Sequence, residues 1–383
     1  RGPAVRFRCG HPVRPTSCWG LVDISMSSDS SSTPAATLVL IASTGVVAFS
    51  FGRWTAPATH APSIPRVPRV PRAATEGGGH WLNGRCVNHS HTPSLVHNLS
   101  KLERQCTLSR LPDTLRSRTH FFAMVAPNDL LGHWLAHYAG LGIDFRQRSR
   151  VILHTGGVGA EQARAARQLL SEYGVPADLA VNWSSALKMR AAEAYLRSLP
   201  PSGYLVWADS DEFMRYPCAL AEASRSDKVA VYSSMVERVS LPWRLRPPTP
   251  GQRLNSSYPR RCLVTACLIS EAGVSVATKK PALIPVTDRL GRRMRPTSSH
   301  HLACVDDATG ELKHCQMDLK LKAVFDHFRF TGSTMRLLSE KTRQKFHAIR
   351  KYKAEALMFA RDRSGGWSFS NESIRALSRV CWT

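Results

Sequence analysis

The sequence is short of acid: 28 Asp and Glu stand against 52 Lys and Arg in 383 residues, a formal net charge of +24. It has only one long uncharged run, which excludes a polytopic membrane protein. Its ten cysteines form no C-x-x-C pair, which argues against a zinc ribbon or a thioredoxin-like site. There is no G-x-S-x-G, no H-E-x-x-H and no EF-hand pattern. No internal period supports a collagen, coiled-coil or repeat architecture. What is present is 43% hydrophobic residues, enough for one sizeable core and too many for a disordered polyelectrolyte. The length suits one catalytic-size domain with extensions, or two smaller domains.

The uncharged run spans residues 30–52, after an N-terminal tail at 1–29. As a helix it is about long enough to cross a bilayer, so a transmembrane anchor or a signal segment is expected. Ser43, Thr44 and Gly45 weaken its hydrophobicity, which keeps a cleaved signal peptide and a secreted product in play. Arg53, Arg66, Arg69 and Arg72 just beyond it would place the C-terminal part on the cytoplasmic side by the positive-inside rule. The N-x-[ST] sequons at Asn88, Asn98, Asn182, Asn255 and Asn371 favour the lumenal side instead. Residues 53–80, with P-x-x-P spacing and Gly77–Gly79, read as a polyproline II stem or an SH3-type ligand. Residues 81–117 are polar and irregular. The cysteine count is compatible with a few disulfides or with reduced core thiols.

The main domain is expected over 118–363, where strand and helix signals alternate from Thr119. His120–Ala126 reads as a buried strand, and Asn128 can cap a helix bearing Leu131, Trp134, Leu135 and Tyr138. Arg150–His154 is a strand, Glu161–Tyr173 a helix and Ala177–Val181 a strand. Ser184 or Ser185 caps a helix through Arg197, and Tyr204–Ala208 is a strand. Such alternation predicts an α/β fold with a mainly parallel central sheet and helices on both faces. Ligands in these sheets bind beyond the carboxyl ends of the strands. Later come strands at Lys228–Ser233 and Cys262–Ser270 and a Pro/Arg-rich loop at Leu241–Arg261, then a basic helix from Arg336 to about Phe359. A polar tail is expected at 364–383.

The most informative segment is Trp207-Ala208-Asp209-Ser210-Asp211-Glu212-Phe213. In an extended backbone Asp209 and Asp211 share a side, and two converging carboxylates call for a cation between them. A hard divalent ion held with a diphosphate fits that need, and a solvated Asx turn is the bland alternative. The loop Thr155-Gly156-Gly157-Val158-Gly159 lacks both G-x-G-x-x-G and a P-loop lysine, and reads as a tight entry into a helix.

The run Val125-Ala126-Pro127-Asn128-Asp129-Leu130-Leu131-Gly132-His133-Trp134, followed by Leu141-Gly142-Ile143-Asp144, resembles the opening of family 2-like and family 92-like glycosyltransferases. Asp209-Ser210-Asp211-Glu212-Phe213 resembles their Asp-x-Asp-Glu-Phe block. Lys188, Lys279-Lys280-Pro281, His300-His301 and His327-Phe328-Arg329 follow in the family's order. Two departures stand out: Asp129 replaces the usual Glu, and the strand ending in His154 lacks an Asp/Asn-rich tip.

The resemblance implies a GT-A type nucleotide-diphospho-sugar transferase fold, Mn²⁺ or Mg²⁺ dependence, inverting transfer to a glycan or other hydroxyl acceptor, and a Golgi or endoplasmic reticulum membrane protein with a lumenal catalytic domain. It puts Asn128, Asp129, Lys188, Asp209 and Lys280 at the donor and Asp209, Asp211 and His327 at the metal, so Asn128, Asp209, Asp211 and His327 are expected to line one pocket. Asp211 also falls within the catalytic set. Glu212 is a candidate base or orienter, with Asp306 and Asp307 as rival bases; His327 reads equally well as a packed core residue. A catalytically silent lumenal binding protein of the same fold is the alternative. Nucleic-acid binding is disfavoured, because the basic helix lacks interleaved aromatics.

Overall fold

A computed structural model describes residues 37–42, 45–50, 92–180, 183–226, 228–241, 243–249, 252–264, 279–298, 301–306, 308–344, 355–362, 364–378 and 380–382. The chain divides into two units, Arg1–Ala74 and Thr75–Thr383. In the first, strands β1 (Thr37–Ala42) and β2 (Gly45–Ser50) pair antiparallel. The rest of the uncharged run and all of the stem lie outside the described residues. No helix among the described residues is long and apolar enough to cross a membrane.

The second unit opens with α1 (Thr92–Glu103) and α2 (Asp113–Arg116), in the stretch read as irregular. The alternating part is β3 (Thr119–Val125), α3 (Leu131–Gly140), α4 (Phe145–Arg148), β4 (Ser149–His154), α5 (Ala160–Glu172), β5 (Ala177–Ala180), α6 (Ser185–Ser198) and β6 (Tyr204–Trp207). These elements match the periodicity closely. Ser184 is the cap of α6, its side chain accepting from Leu187 N at 3.1 Å. Gly157 has φ 73°, a left-handed conformation that suits glycine, in the turn leading to α5. One cap differs from expectation. Asn128 does not cap α3; its Oδ1 accepts from Leu130 N at 3.0 Å, and the helix starts at Leu131, with Leu130 at its cap position.

Then follow β7 (Glu212–Arg215), α7 (Ala219–Ala223), β8 (Val229–Val239), β9 (Arg244–Leu245), α8 (Leu254–Ser257), β10 (Arg260–Cys262), β11 (Lys279–Pro285), β12 (Met294–Ser298), β13 (His301–Val305), β14 (Leu312–Lys313) and β15 (Leu319–His327). The last elements are α9 (Thr334–Gln344), β16 (Phe359–Arg361), β17 (Trp367–Phe369), α10 (Asn371–Leu377) and β18 (Cys381–Trp382). The main sheet runs β18-β10-β8-β11-β6-β3-β4-β5, with β15 joining β8 and β7.

The expected mainly parallel sheet is corrected to a mixed one. Pairs β3–β4, β4–β5 and β3–β6 are parallel, as is β8–β15. Pairs β6–β11, β8–β11, β8–β10, β10–β18 and β7–β15 are antiparallel. The reason is connectivity: after β6 the crossover helices stop and most neighbours pair antiparallel, while β8 and β15, separated by a long stretch of chain, can still run parallel. Helices do cover both faces of the parallel part. Phe121, Ala123 and Val125 pack with Trp134, Leu135 and Tyr138 of α3, while Phe122 and Met124 pack with Ala191, Ala192 and Leu196 of α6.

Residues 364–382, expected as a polar tail, are built into the fold. β17 pairs with β16 and β9, β18 pairs with β10, and Leu377 and Val380 are buried. Disulfides join Cys106 to Cys218, Cys262 to Cys381 and Cys304 to Cys315. The Cys262–Cys381 bridge spans a sequence separation of 119 and Cys304–Cys315 one of 11. Chain entropy makes the longer closure worth about 2 kcal/mol more. Cys381→Ser should therefore lower the unfolding free energy by about 2–4 kcal/mol and Cys315→Ser by about 2 kcal/mol less. Urea unfolding without reductant reads both; equal losses would count against loop length as the cause.

Candidate functional site

The parallel pairing puts the carboxyl ends of β3, β4 and β6 at one edge, with Phe122 opposite Trp207 and Val125 opposite Leu153. β6 is fully buried, so its apolar side chains fix where the following acids emerge. Asp209 O then accepts from Glu212 N at 3.0 Å, closing a tight turn that leads at once into β7. In β7, Glu212 sits opposite His327 of β15, and Phe328 N donates to Asp211 O at 2.8 Å. Strand register thus carries a histidine from far along the chain to the acidic turn.

The acids do not meet solvent alike. The side chains of Asp209 and Asp211 are 32% and 29% exposed, whereas that of Glu212 is 5% exposed. Lys188 of α6 donates to Asp209 Oδ1, and Lys280 of β11, fully buried, donates to Glu212 Oε2 and lies 3.5 Å from Asp209 Oδ2. Glu212 Oε2 also accepts from Asp209 N at 2.8 Å, and Tyr138 donates to Glu212 O at 3.0 Å. Burial pulls the Lys188 ammonium below its ordinary value, and the Asp209 carboxylate offsets part of this. For Lys280 burial acts the same way, but Asp209 and Glu212 outweigh it and hold the ammonium above its ordinary value. Burial pushes the Glu212 carboxyl up, with Lys280 pulling back.

His327 is buried with Nε2 3.3 Å from Asp211 Oδ2 and Nδ1 3.9 Å from Glu237 Oε1. Burial lowers its pKa, but Asp211 and then Glu237 more than reverse this, to about 9. Among the described residues no group of three or more His, Cys, Asp or Glu is arranged to hold a metal. The pair Asp211–His327 does suit adjacent ligands of one ion, which at about 2.1 Å from the metal stand about 3.0 Å apart. Asp209 has Oδ1 bonded to Lys188 and Oδ2 3.5 Å from the Lys280 ammonium.

The remaining expected residues divide. Asn128 joins the cluster through Nδ2, which donates to Ser210 Oγ at 2.9 Å. Asp129 turns away, accepting from Ser333 N at 2.9 Å ahead of α9. That contact needs Gly332, since a Cβ there would stand 2.9 Å from Pro247 and 3.1 Å from Asp129 Oδ2. A pocket of about 560 Å³ opens beside it, lined by Asn128, Asp129, Leu131, Leu169, Ser333 and Arg336 among others. Of the four residues expected to line one pocket, only Asn128 lines this one, and its side chain bonds to Ser210 of the acidic turn. Asp306 closes a turn with the N–H groups of Ala308 and Thr309, and His301 is exposed on β13. His300 and Asp307 lie outside the described residues.

Sequence reasoning missed Glu237, Ser210 and Tyr138 as members of the site. Glu237 had at most a weak signal: with Arg238 it interrupts the apolar Met235, Val236 and Val239, which continue the strand expected to end at Ser233.

No protein-family model and no curated protein matches the chain. Among solved structures it is similar to S. aureus TarS, with a TM-score of 0.27 and 11% identity over 62% of this chain and 42% of that one. The chain thus spans less than half the length of that relative. S. aureus TarS 1–349 gives a TM-score of 0.28 and 12% identity over 62% of this chain and 71% of that one. The complex of TarS 1–349 with UDP-GlcNAc gives the same TM-score and identity.

Removing one partner of a buried ion pair costs about 3–5 kcal/mol. Lys280→Met strands the buried Glu212 carboxylate and should lower stability by that amount, whereas Lys188→Met, beside the more exposed Asp209, should cost less. Equal denaturation midpoints for the two variants would refute this ordering.

Proposed function

We propose that the protein is a GT-A type glycosyltransferase that moves a sugar from a nucleotide-diphospho-sugar to a hydroxyl of a glycan or other acceptor, with inversion. One observation carries the reading: an acidic turn at the carboxyl edge of the parallel strands, held from below by two buried lysines and faced by a buried histidine. Ligands in α/β sheets bind at that edge.

In this reading Asp211 and His327 hold Mn²⁺ or Mg²⁺, with the donor's phosphates and water completing the set, as is usual for ions held by few protein ligands. When bound, the ion supplies Lewis-acid neutralisation of the departing diphosphate. Lys188 and Lys280 keep Asp209 fixed at the donor, and Asn128 ties the opening of the fold to the same turn through Ser210. Glu212 is the orienter of this turn. With Oε2 committed to Lys280 and Asp209 N beneath the surface, it is poorly placed to take a proton from an acceptor.

The compartment belongs to the same proposal: a membrane-anchored or secreted protein acting in the lumen of the Golgi or endoplasmic reticulum. The three disulfides among the described residues support an oxidising environment. Nucleic acid is not proposed as a partner; Arg336 of the basic helix donates to Pro127 O at 2.8 Å within the fold.

A second reading, donor binding without transfer, is favoured by the engagement of Glu212. The test is release of nucleoside diphosphate from a panel of nucleotide sugars with and without Mn²⁺. Turnover is expected, and Asp211→Asn should weaken Mn²⁺ binding by more than about 100-fold, beyond the loss typical of a supporting residue, while the fold persists. Asp209→Asn should lose metal-dependent donor binding. Binding without turnover would establish the second reading, and indifference to every nucleotide sugar would reject both.

A further inference from the structure

We infer that Glu237 is a positioning residue: its carboxylate, beside Nδ1 of His327, fixes the imidazole so that Nε2 faces Asp211 and the cation proposed there. This rests on the metal-holding role given to Asp211 and His327 above. β8 and β15 run parallel with Glu237 directly opposite His327. Glu237 is 1% exposed and its Oε1 lies 3.9 Å from Nδ1, outside direct hydrogen-bond distance and inside ion-pair range.

A carboxylate at such depth costs folding free energy unless a charge or donor answers it. An imidazole has two nitrogens, and the group at one decides what the other can offer. Carboxylates behind metal-holding histidines orient the ring and raise its basicity.

The surroundings keep this pair in register. On the opposite face of the same two strands, Arg238 bonds to Asp326 at 2.6 Å and reaches Glu103 of α1 at 3.4 Å. Glu103 also meets Arg261 at 3.1 Å and accepts from Trp382 Nε1 at 2.9 Å. Sliding β15 along β8 would break this network, so Glu237 and His327 stay abreast.

The experiment is a Mn²⁺ titration of the whole protein followed by the electron paramagnetic resonance of free Mn²⁺, alongside urea unfolding. Glu237→Gln keeps the volume and removes the charge. It should weaken Mn²⁺ binding to the folded protein by about 10–100-fold, whatever the loss of the buried charge does to the urea midpoint. A purely structural role would lower the midpoint and leave the affinity of the folded fraction unchanged, which overturns the inference. Should Glu237→Gln not fold, Glu237→Asp, which keeps the charge and shortens its reach, should still weaken binding; unchanged affinity overturns the proposal. His327→Ala separates the two levels. If it abolishes binding and Glu237→Gln does not weaken it, only the role of Glu237 falls. If His327→Ala changes nothing, the metal-holding role of His327 falls, and that of Glu237 with it.

Discussion

Two ammonium groups beneath one turn hold this site together. Asp209 and Glu212 are three residues apart and would repel each other at the end of a buried strand. Lys188 from α6 and Lys280 from β11 reach them from two different elements. Charge compensation therefore also pins a helix and an antiparallel strand to the tip of a parallel one. Asp211, the third acid, faces His327 instead. A turn that needed an external cation merely to form would depend on ligand for its shape; this one is preformed.

The second constraint is strand register. The part of the sheet after β6 is mostly antiparallel, its strands no longer joined by crossover helices, yet this half delivers the histidine, on the strand β15 that runs parallel to β8. β7 is short, and β15 lies between it and β8, so His327 is flanked by Glu212 on one side and Glu237 on the other. Because side chains alternate, the neighbouring Asp326 and Arg238 meet on the opposite face and form their own ion pair.

The legible parts of the sequence were those where period and burial agree. β3 through β6, with Trp134, Leu135 and Tyr138 facing the sheet, follow from apolar spacing alone. The Asp209–Glu212 turn was visible as acids ending an apolar strand, and the Lys188 and Lys280 positions came from resemblance. The structure brings both lysines to that turn. What spacing could not convey was direction: whether Asn128 would cap a helix or reach Ser210, or whether Asp129 would face the acids or Ser333. These depend on single side-chain torsions. The extent of β8 was also hidden, because Glu237 and Arg238 break the apolar run that marks a strand, and their compensation comes from residues about ninety positions away. The closing residues looked like a tail since Trp367 and Trp382 stand among polar neighbours; their partners are in β9 and β10.

The Cys262–Cys381 bridge has a consequence for how the chain comes off the ribosome. At about 5–20 residues per second, the separation of 119 corresponds to roughly 6–24 s between the two thiols. Through that interval β10 has no outer neighbour, and its open rim must be shielded by chaperone or by speed until the last strand arrives.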